Sequence, residues 1–204
     1  MQPKTKTSSE EQINSTQAKM TKKSILTLLL ALATLTMAAQ EKLVRIDSQT
    51  LDVRAGSPRL SLFYSEMNRL LLPQGAGFGV VVTPSNGLQS ALSYDARAGQ
   101  LVYKVAESSI WKATKNPDQY QAPAVKTYTL DISARQARKL MEMWRDAVGS
   151  SEVSPDNMLD GSRWEFFFTA QRAKATSADH PLVKLVEQLQ KAVQAGDPKM
   201  VPEK

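Results

Sequence analysis

The sequence predicts an α+β fold, in which an antiparallel meander sheet of about five strands carries roughly two to three helices packed on one face. Two observations lead to this class. Three strand-like segments follow one another between residues 79 and 106, with only short turns between them. The segments with apolar residues at helical spacing are set apart from these strands, which disfavours a parallel doubly wound sheet.

The first half of the chain supplies one helix and three strands. Residues 40–56 form a lead-in with room for one short strand, and Ser57-Pro58 then begins a helix over 58–71. The β-branched run 79–83 precedes Asn86-Gly87, a strong hairpin turn, and 91–94 is the returning strand. Alternating residues over 101–106 predict the third strand of the meander.

The second half of the chain begins with a connection at 107–124, which is long for a compact domain. A strand follows at 125–132. Ser133 and Gln136 have the spacing of a capping box, and the helix that they start ends at Gly149. Its apolar stripe contains Ala137, Leu140, Met141, Trp144, Ala147 and Val148. A strand at 164–168 has aromatic residues on both faces, and a last helix runs from Pro181 to Gly196.

Composition excludes several kinds of site. The chain has 204 residues, a formal net charge of +6, no Cys and a single His, His180. Without Cys there is no disulfide framework, thiolate zinc site, iron–sulfur cluster or cysteine nucleophile. The length suits one α+β domain, which we expect at 40–198 with a tail at 199–204.

Residues 20–39 have the layout of a secretory signal peptide. Lys22 and Lys23 precede an apolar run that ends in Ala38-Ala39. The run is shorter than the ~20 residues that span a bilayer, so we expect cleavage after Ala39 and export to the periplasm or the exterior, with no transmembrane span left. Residues 1–19 are polar and are either disordered or a misassigned start, with Met20 the true initiator.

Cleavage would also change the charge of the protein. The chain from residue 40 has 21 basic and 18 acidic residues, a net charge of +3. Nucleic-acid binding needs clustered positive charge, so we do not expect a nucleic-acid partner.

Two groups of side chains are candidates for binding. Trp111 and Tyr120 lie in the 107–124 loop, where exposed aromatic rings would suit recognition of a protein or a glycan. The same rings could instead fold back and cover the sheet. Arg135, Arg138 and Lys139 form a basic patch near the start of a helix, which suits an anionic partner or is simply a solvated helix face.

The remaining motifs give weak indications of chemistry. Gly75–Gly79 resembles a phosphate-binding loop, but here a helix precedes it and a strand follows, which is the reverse of the required order. Asp156–Gly161 lacks a ligand of a calcium loop, because Met158 occupies that position. We therefore expect no cofactor and no metal.

Catalytic groups are equally few. His180 would need a nucleophile and an orienting group, and the nearby Ser177 and Asp179 do not make a triad by sequence proximity. Asp156, Asp160 and Glu165 could support glycoside hydrolysis only if two of their carboxyl groups faced each other across a cleft.

One resemblance bears on location. The segment Met37-Ala38-Ala39-Gln40-Glu41, the strand start Asp160-Gly161-x-x-Trp164 and the amphipathic C-terminal helix together resemble small secreted proteins of Bacteroidota that have no assigned activity. The resemblance covers most of residues 20–196. It implies an envelope location, and it implies no functional residue.

The leading hypothesis is a non-enzymatic exported domain that binds an envelope protein or glycan through a sheet face or the 107–124 loop. The first alternative is an envelope hydrolase that uses Asp and Glu side chains with His180. The second alternative is an enzyme inhibitor that inserts the 107–124 loop into a cleft. The sequence does not indicate an oligomeric state.

Overall fold

The computed structural model describes residues 42–46, 56–153, 163–175 and 177–203, all of which belong to the unit that starts at Lys42. The segments 1–19 and 20–39 and the turn at 156–161 lie outside these residues, so what the sequence predicts for them stays a prediction.

Within the described residues, seven strands form one antiparallel sheet. They are β1 (Val44–Arg45), β2 (Phe78–Thr83), β3 (Ser90–Asp95), β4 (Gln100–Ala106), β5 (Val125–Asp131), β6 (Arg163–Phe168) and β7 (Gln171–Ala175). Their order in the sheet is β1-β7-β6-β2-β3-β4-β5. The α+β class is therefore confirmed, whereas the expected number of about five strands is too low. The run from β2 to β4 is the predicted three-stranded meander, and β5 extends it at the edge of the sheet. β6 lies inside the sheet between β7 and β2.

No pattern in the sequence predicts β7. Its five residues, Gln-Arg-Ala-Lys-Ala, include no β-branched or aromatic side chain, so local preference does not favour a strand. Pairing on both sides holds it instead, since Ala173 lies opposite Phe166 of β6 and opposite Arg45 of β1. The tight turn from β6 places Thr169 at a φ of +51°, which is rare for a β-branched residue. β7 thus depends on tertiary pairing.

The three long helices begin and end where the sequence predicts. They are α1 (Pro58–Leu71), α3 (Ala134–Gly149) and α4 (Pro181–Ala195), and the short α2 (Ile110–Ala113) lies within the 107–124 loop. Ser133 and Gln136 form both hydrogen bonds of the capping box, and Gly196 ends α4 in the left-handed conformation with a φ of +67°. Among the described residues, no helix is both long enough and apolar enough to cross a membrane.

The helices cover both faces of the sheet, so the expectation of one covered face is wrong. Neighbouring residues of a strand point to opposite faces. In β2, Val80 lies in a core with α3 and α4, whereas Val81 lies in a second core with α1 and α2. The sequence carries this pattern, because a strand buried on both faces reads as a continuous apolar run rather than an alternating one, as in Gly79–Val82.

Trp144 is the centre of the larger core. It is 1% exposed, and its Nε1 donates a 2.8 Å hydrogen bond to the carbonyl oxygen of Gly79. Its ring contacts Phe78 at 5.4 Å and Phe166 at 6.0 Å between centroids. α3 is thereby fixed across β2 and β6. Met141, which the sequence places in the apolar stripe of α3, is 39% exposed.

Candidate functional site

The 107–124 loop is folded onto α1 and fixed at both ends. It contains α2 and a 3-10 turn at Pro117–Gln119. Glu107 N donates to Ala124 O at 2.8 Å, which closes the loop at its base. Ile110 N donates to Oε1 of Gln89 at 2.8 Å, and Gln89 is only 2% exposed. The loop therefore presents a defined surface beside α1.

Tyr120 binds a charged pair on α1. Its hydroxyl donates to Oε2 of Glu66 at 2.5 Å. Arg69, one helical turn further on, donates to the same carboxylate through Nε at 3.0 and 3.1 Å and through Nη2 at 2.5 Å. The Glu66 side chain is 12% exposed, whereas that of Arg69 is 57% exposed. The three side chains form a cluster that attaches the end of the loop to α1.

The charges in this cluster suit a structural contact. The hydrogen bond from Arg69 holds the pKa of Glu66 below its usual value of 4.5, against the opposing effect of burial. Burial, with the hydrogen bond to Glu66, raises the pKa of Tyr120 to about 12. Tyr120 therefore stays protonated at neutral pH and acts as a hydrogen-bond donor, which is the opposite of what a tyrosine general base requires.

Trp111 lies on the outer side of α2 and is 38% exposed. The guanidinium of Arg59 stacks over its ring, with Cζ 3.8 Å from the ring centroid. Phe63 meets the indole at 82° with the centroids 5.1 Å apart. Arg59 Nη2 also makes a long 3.4 Å hydrogen bond to Trp111 O, while its Nε is buried without a hydrogen-bond partner among the described residues. The indole is thus both exposed and rigidly held.

The five binding candidates do not form one site. Trp111 and Tyr120 contact α1, which packs on one face of the sheet. Arg135, Arg138 and Lys139 lie in the first half of α3, which packs on the other face. Arg135 and Arg138 are exposed and Lys139 is half-buried. The aromatic and basic candidates are therefore two separate surfaces.

His180 is the N-cap of α4. Its Nδ1 accepts a 3.1 Å hydrogen bond from Leu182 N, and the residue is 8% exposed. Ser177 and Asp179 form the turn before it, where Ser177 Oγ accepts from Asp179 N at 3.0 Å. Because Nδ1 already accepts a backbone bond, it is not available to a separate orienting acid.

The acidic candidates are only partly described. Glu165 is 9% exposed and pairs with Arg172 at 3.0 Å, while Asp156 and Asp160 lie outside the described residues. In the part of the chain that the structure describes, no three His, Asp or Glu side chains lie close enough together to hold a metal ion.

The sequence reasoning missed Glu66, Arg69 and Arg59. One signal was present for Glu66, which falls in the apolar stripe of α1 between Phe63 and Leu70. A carboxylate on the buried side of a helix needs partners, and Arg69 at the i+3 position is a suitable one. The contact with Tyr120 bridges 54 residues, so no local pattern could reveal it.

No protein-family model, curated protein or solved structure matches this chain.

Proposed function

We propose that this chain is an exported, non-enzymatic domain that binds an acidic segment of an envelope protein. The binding surface, here called the Trp111 surface, consists of Arg59, Trp111, Lys112 and Lys115. The proposal depends above all on one observation, the exposed indole of Trp111 held between Arg59 and Phe63.

Tryptophan and arginine are the side chains most enriched among residues that dominate the energy of protein interfaces. Binding normally costs free energy because mobile side chains become ordered. Trp111 is already ordered by the stack with Arg59 and the edge contact with Phe63. A partner can cover the exposed 38% of this residue with little further loss of side-chain entropy.

The charge of the surface favours an acidic partner. Lys112 and Lys115 are exposed, and among the described residues the Arg59 guanidinium makes one long hydrogen bond, to Trp111 O. The loop has two acidic residues: Asp118 is near these lysines in the chain, whereas Glu107 lies at the base of the loop, where it acts on Lys126. Arg69 is already occupied by Glu66. Positive charge therefore prevails around the indole, which attracts an acidic segment and raises its association rate.

A protein segment suits the indole better than a glycan does. Sugars stack on an open aromatic face, and the Arg59 guanidinium lies 3.8 Å from the centroid of this ring. A sugar on that face would have to displace Arg59, whereas an acidic side chain can bind the guanidinium where it lies.

The export part of the proposal rests on the leader-like segment at 20–39. N-terminal sequencing of the protein recovered from the envelope fraction tests it. We expect a start at Gln40, and a start at Met1 or Met20 would contradict export by cleavage.

Affinity capture from envelope extract tests the binding surface. We expect Trp111→Ala combined with Arg59→Gln to lose a partner that the native protein captures. Met141→Ala is the matched control, because Met141 is 39% exposed and lies on α3, on the other side of the sheet. Protease treatment of the extract should abolish capture and periodate oxidation of its glycans should not. Capture that survives the double substitution, or is lost only after periodate, would contradict the proposal.

A further inference from the structure

The two edges of the sheet are built differently. At one edge, β1 has two residues, and the chain after α3 hydrogen-bonds to its outer side. Arg45 N donates to Glu152 O at 2.7 Å, and Glu152 N donates to Leu43 O at 2.9 Å. At the other edge, β5 has seven residues and pairs with β4 on its inner side. Among the described residues, none pairs with its outer side.

The hydrogen bonds at the two ends of β5 show which backbone groups point outward. Ile132 N donates to Gly99 O beyond one end, and Glu107 N donates to Ala124 O beyond the other. Hydrogen-bonded pairs recur at every second residue of an antiparallel ladder, and the register between the two ends is continuous. The even-numbered residues therefore bond to β4. The N–H and C=O groups that point outward belong to Val125, Thr127, Thr129 and Asp131.

β5 has few of the features that keep sheet edges from associating. It contains neither a proline nor a bulge, and Thr127 and Thr129 are exposed β-branched residues. The strand has one lysine, Lys126, whose Nζ lies 5.1 Å from the ring centroid of Tyr128. Its charge is thus directed over the sheet face rather than across the edge.

We propose that the outer edge of β5 binds β5 of a second copy of this chain, which joins the two sheets in antiparallel orientation. The two-fold axis passes through Tyr128, because this register pairs all seven residues and keeps each face of one sheet continuous with the same face of the other. Thr127 then lies opposite Thr129 of the second copy, and Val125 lies opposite Asp131.

The register is self-complementary in its side chains as well as its backbone. Four outward pairs with two hydrogen bonds each give eight backbone bonds across the edge. Tyr128 meets Tyr128 of the second copy and extends the stack that it already forms with Tyr103, at 5.9 Å and 22°. Both threonine pairs are favourable across strands, and no two like charges lie opposite each other, since Lys126 faces Leu130. This fit favours a second copy over an unrelated strand.

Sedimentation of the native protein over a dilution series tests the dimer, with Thr129→Pro as the disrupting variant. Thr129 N points outward, so proline removes an intermolecular donor and leaves the β4–β5 ladder intact. We expect a monomer–dimer equilibrium in the native protein, and a dissociation constant at least about tenfold higher in Thr129→Pro. Thr129→Ala keeps the N–H and should behave as native. A native protein that is monomeric throughout, or a proline variant that associates as the native does, would overturn the inference.

Cysteine cross-linking tests the register without a proline, and the chain has no cysteine of its own. Tyr128→Cys places the two thiols opposite each other on the axis, within reach of a disulfide. In Thr129→Cys the two positions are displaced along the strands, beyond the ~7 Å limit for Cα separation in a disulfide. Rapid covalent dimerisation of the first variant and slow reaction of the second supports the register. Equal rates, or faster reaction of Thr129→Cys, would overturn it.

Discussion

Replacing Tyr120 with phenylalanine removes one hydroxyl and leaves the ring in place, so it isolates the bond that attaches the 107–124 loop to α1. The bond is a 2.5 Å donation to a carboxylate whose side chain is 12% exposed. Hydrogen bonds to charged groups contribute about 1.5–3 kcal/mol. Arg69 still satisfies Glu66 in the variant, and solvent reaches the cluster, so we expect a loss of about 1–2 kcal/mol in the free energy of unfolding.

The pH dependence of stability gives an independent signature. The pKa of Tyr120 is raised to about 12 in the folded protein from an ordinary value of 10. Between these values the unfolded chain has lost the proton that the folded chain keeps, so stability falls as pH rises. Two pKa units correspond to about 2.7 kcal/mol, which screening in a partly exposed site reduces to roughly 1 kcal/mol. Tyr120→Phe should lack this loss above pH 10.

At acid pH the dependence of stability on pH has the opposite sign, so that stability falls as pH falls. The pKa of Glu66 is lowered from 4.5, so its contribution is present above that value and is lost as pH falls through the folded pKa. Because the Tyr120 hydroxyl helps to lower that pKa, the variant should lose less stability on acidification than the native protein does.

Urea unfolding, monitored by tryptophan fluorescence, measures the loss of stability at neutral pH and the further loss above pH 10. Tyr94→Phe is the matched control, because Tyr94 is half-buried against Phe78 and no described residue hydrogen-bonds to its hydroxyl. The reasoning is refuted if Tyr120→Phe costs no more than Tyr94→Phe and keeps the native alkaline slope.

Substitutions at Gly79 and Trp144 test the core packing, and substitutions at His180 test a helix cap. Gly79→Ala should cost about 2–3 kcal/mol in chemical denaturation, because its Cβ would lie 2.4 Å from the backbone oxygen of Leu92, whereas Gly77→Ala, with open space, should cost far less. Trp144→Phe should cost about 3 kcal/mol in the same assay, since it opens a cavity and leaves a buried carbonyl without its donor. His180→Ala should lower stability by about 1 kcal/mol by thermal unfolding, and His180→Asn should recover part of that because Asn also caps helices. Equal stability of the Ala and Asn variants would argue against the cap.

Local chemistry explains why the three long helices could be predicted. Ser57-Pro58 starts α1, the capping box of Ser133 and Gln136 starts α3, and Gly196 ends α4. Each of these signals acts within one turn of helix, so the residues that decide the boundary are neighbours in the sequence. The meander strands could be predicted equally well, because the turns that join them are short.

The candidate site could be predicted from the sequence only in part. Trp111 and Tyr120 were predicted as binding residues because they are large aromatic side chains in a long loop, and both lie beside α1. Their partners Arg59 and Glu66 are more than 50 residues away in the sequence, and whether a ring is exposed or packed depends on such partners. The sequence therefore indicates the two rings as binding candidates but does not show which residues they contact.

The class of fold, the long helices and the strands of the meander could be predicted from the sequence, because spacing, caps and turns act between near neighbours. Three features emerge only in the folded chain: residues 171–175 form a strand, helices lie on both faces of the sheet, and no described residue pairs with the outer side of β5. These features arise from pairing and burial between segments that are distant in the chain. A short pattern carries no information about which distant segment will be its neighbour.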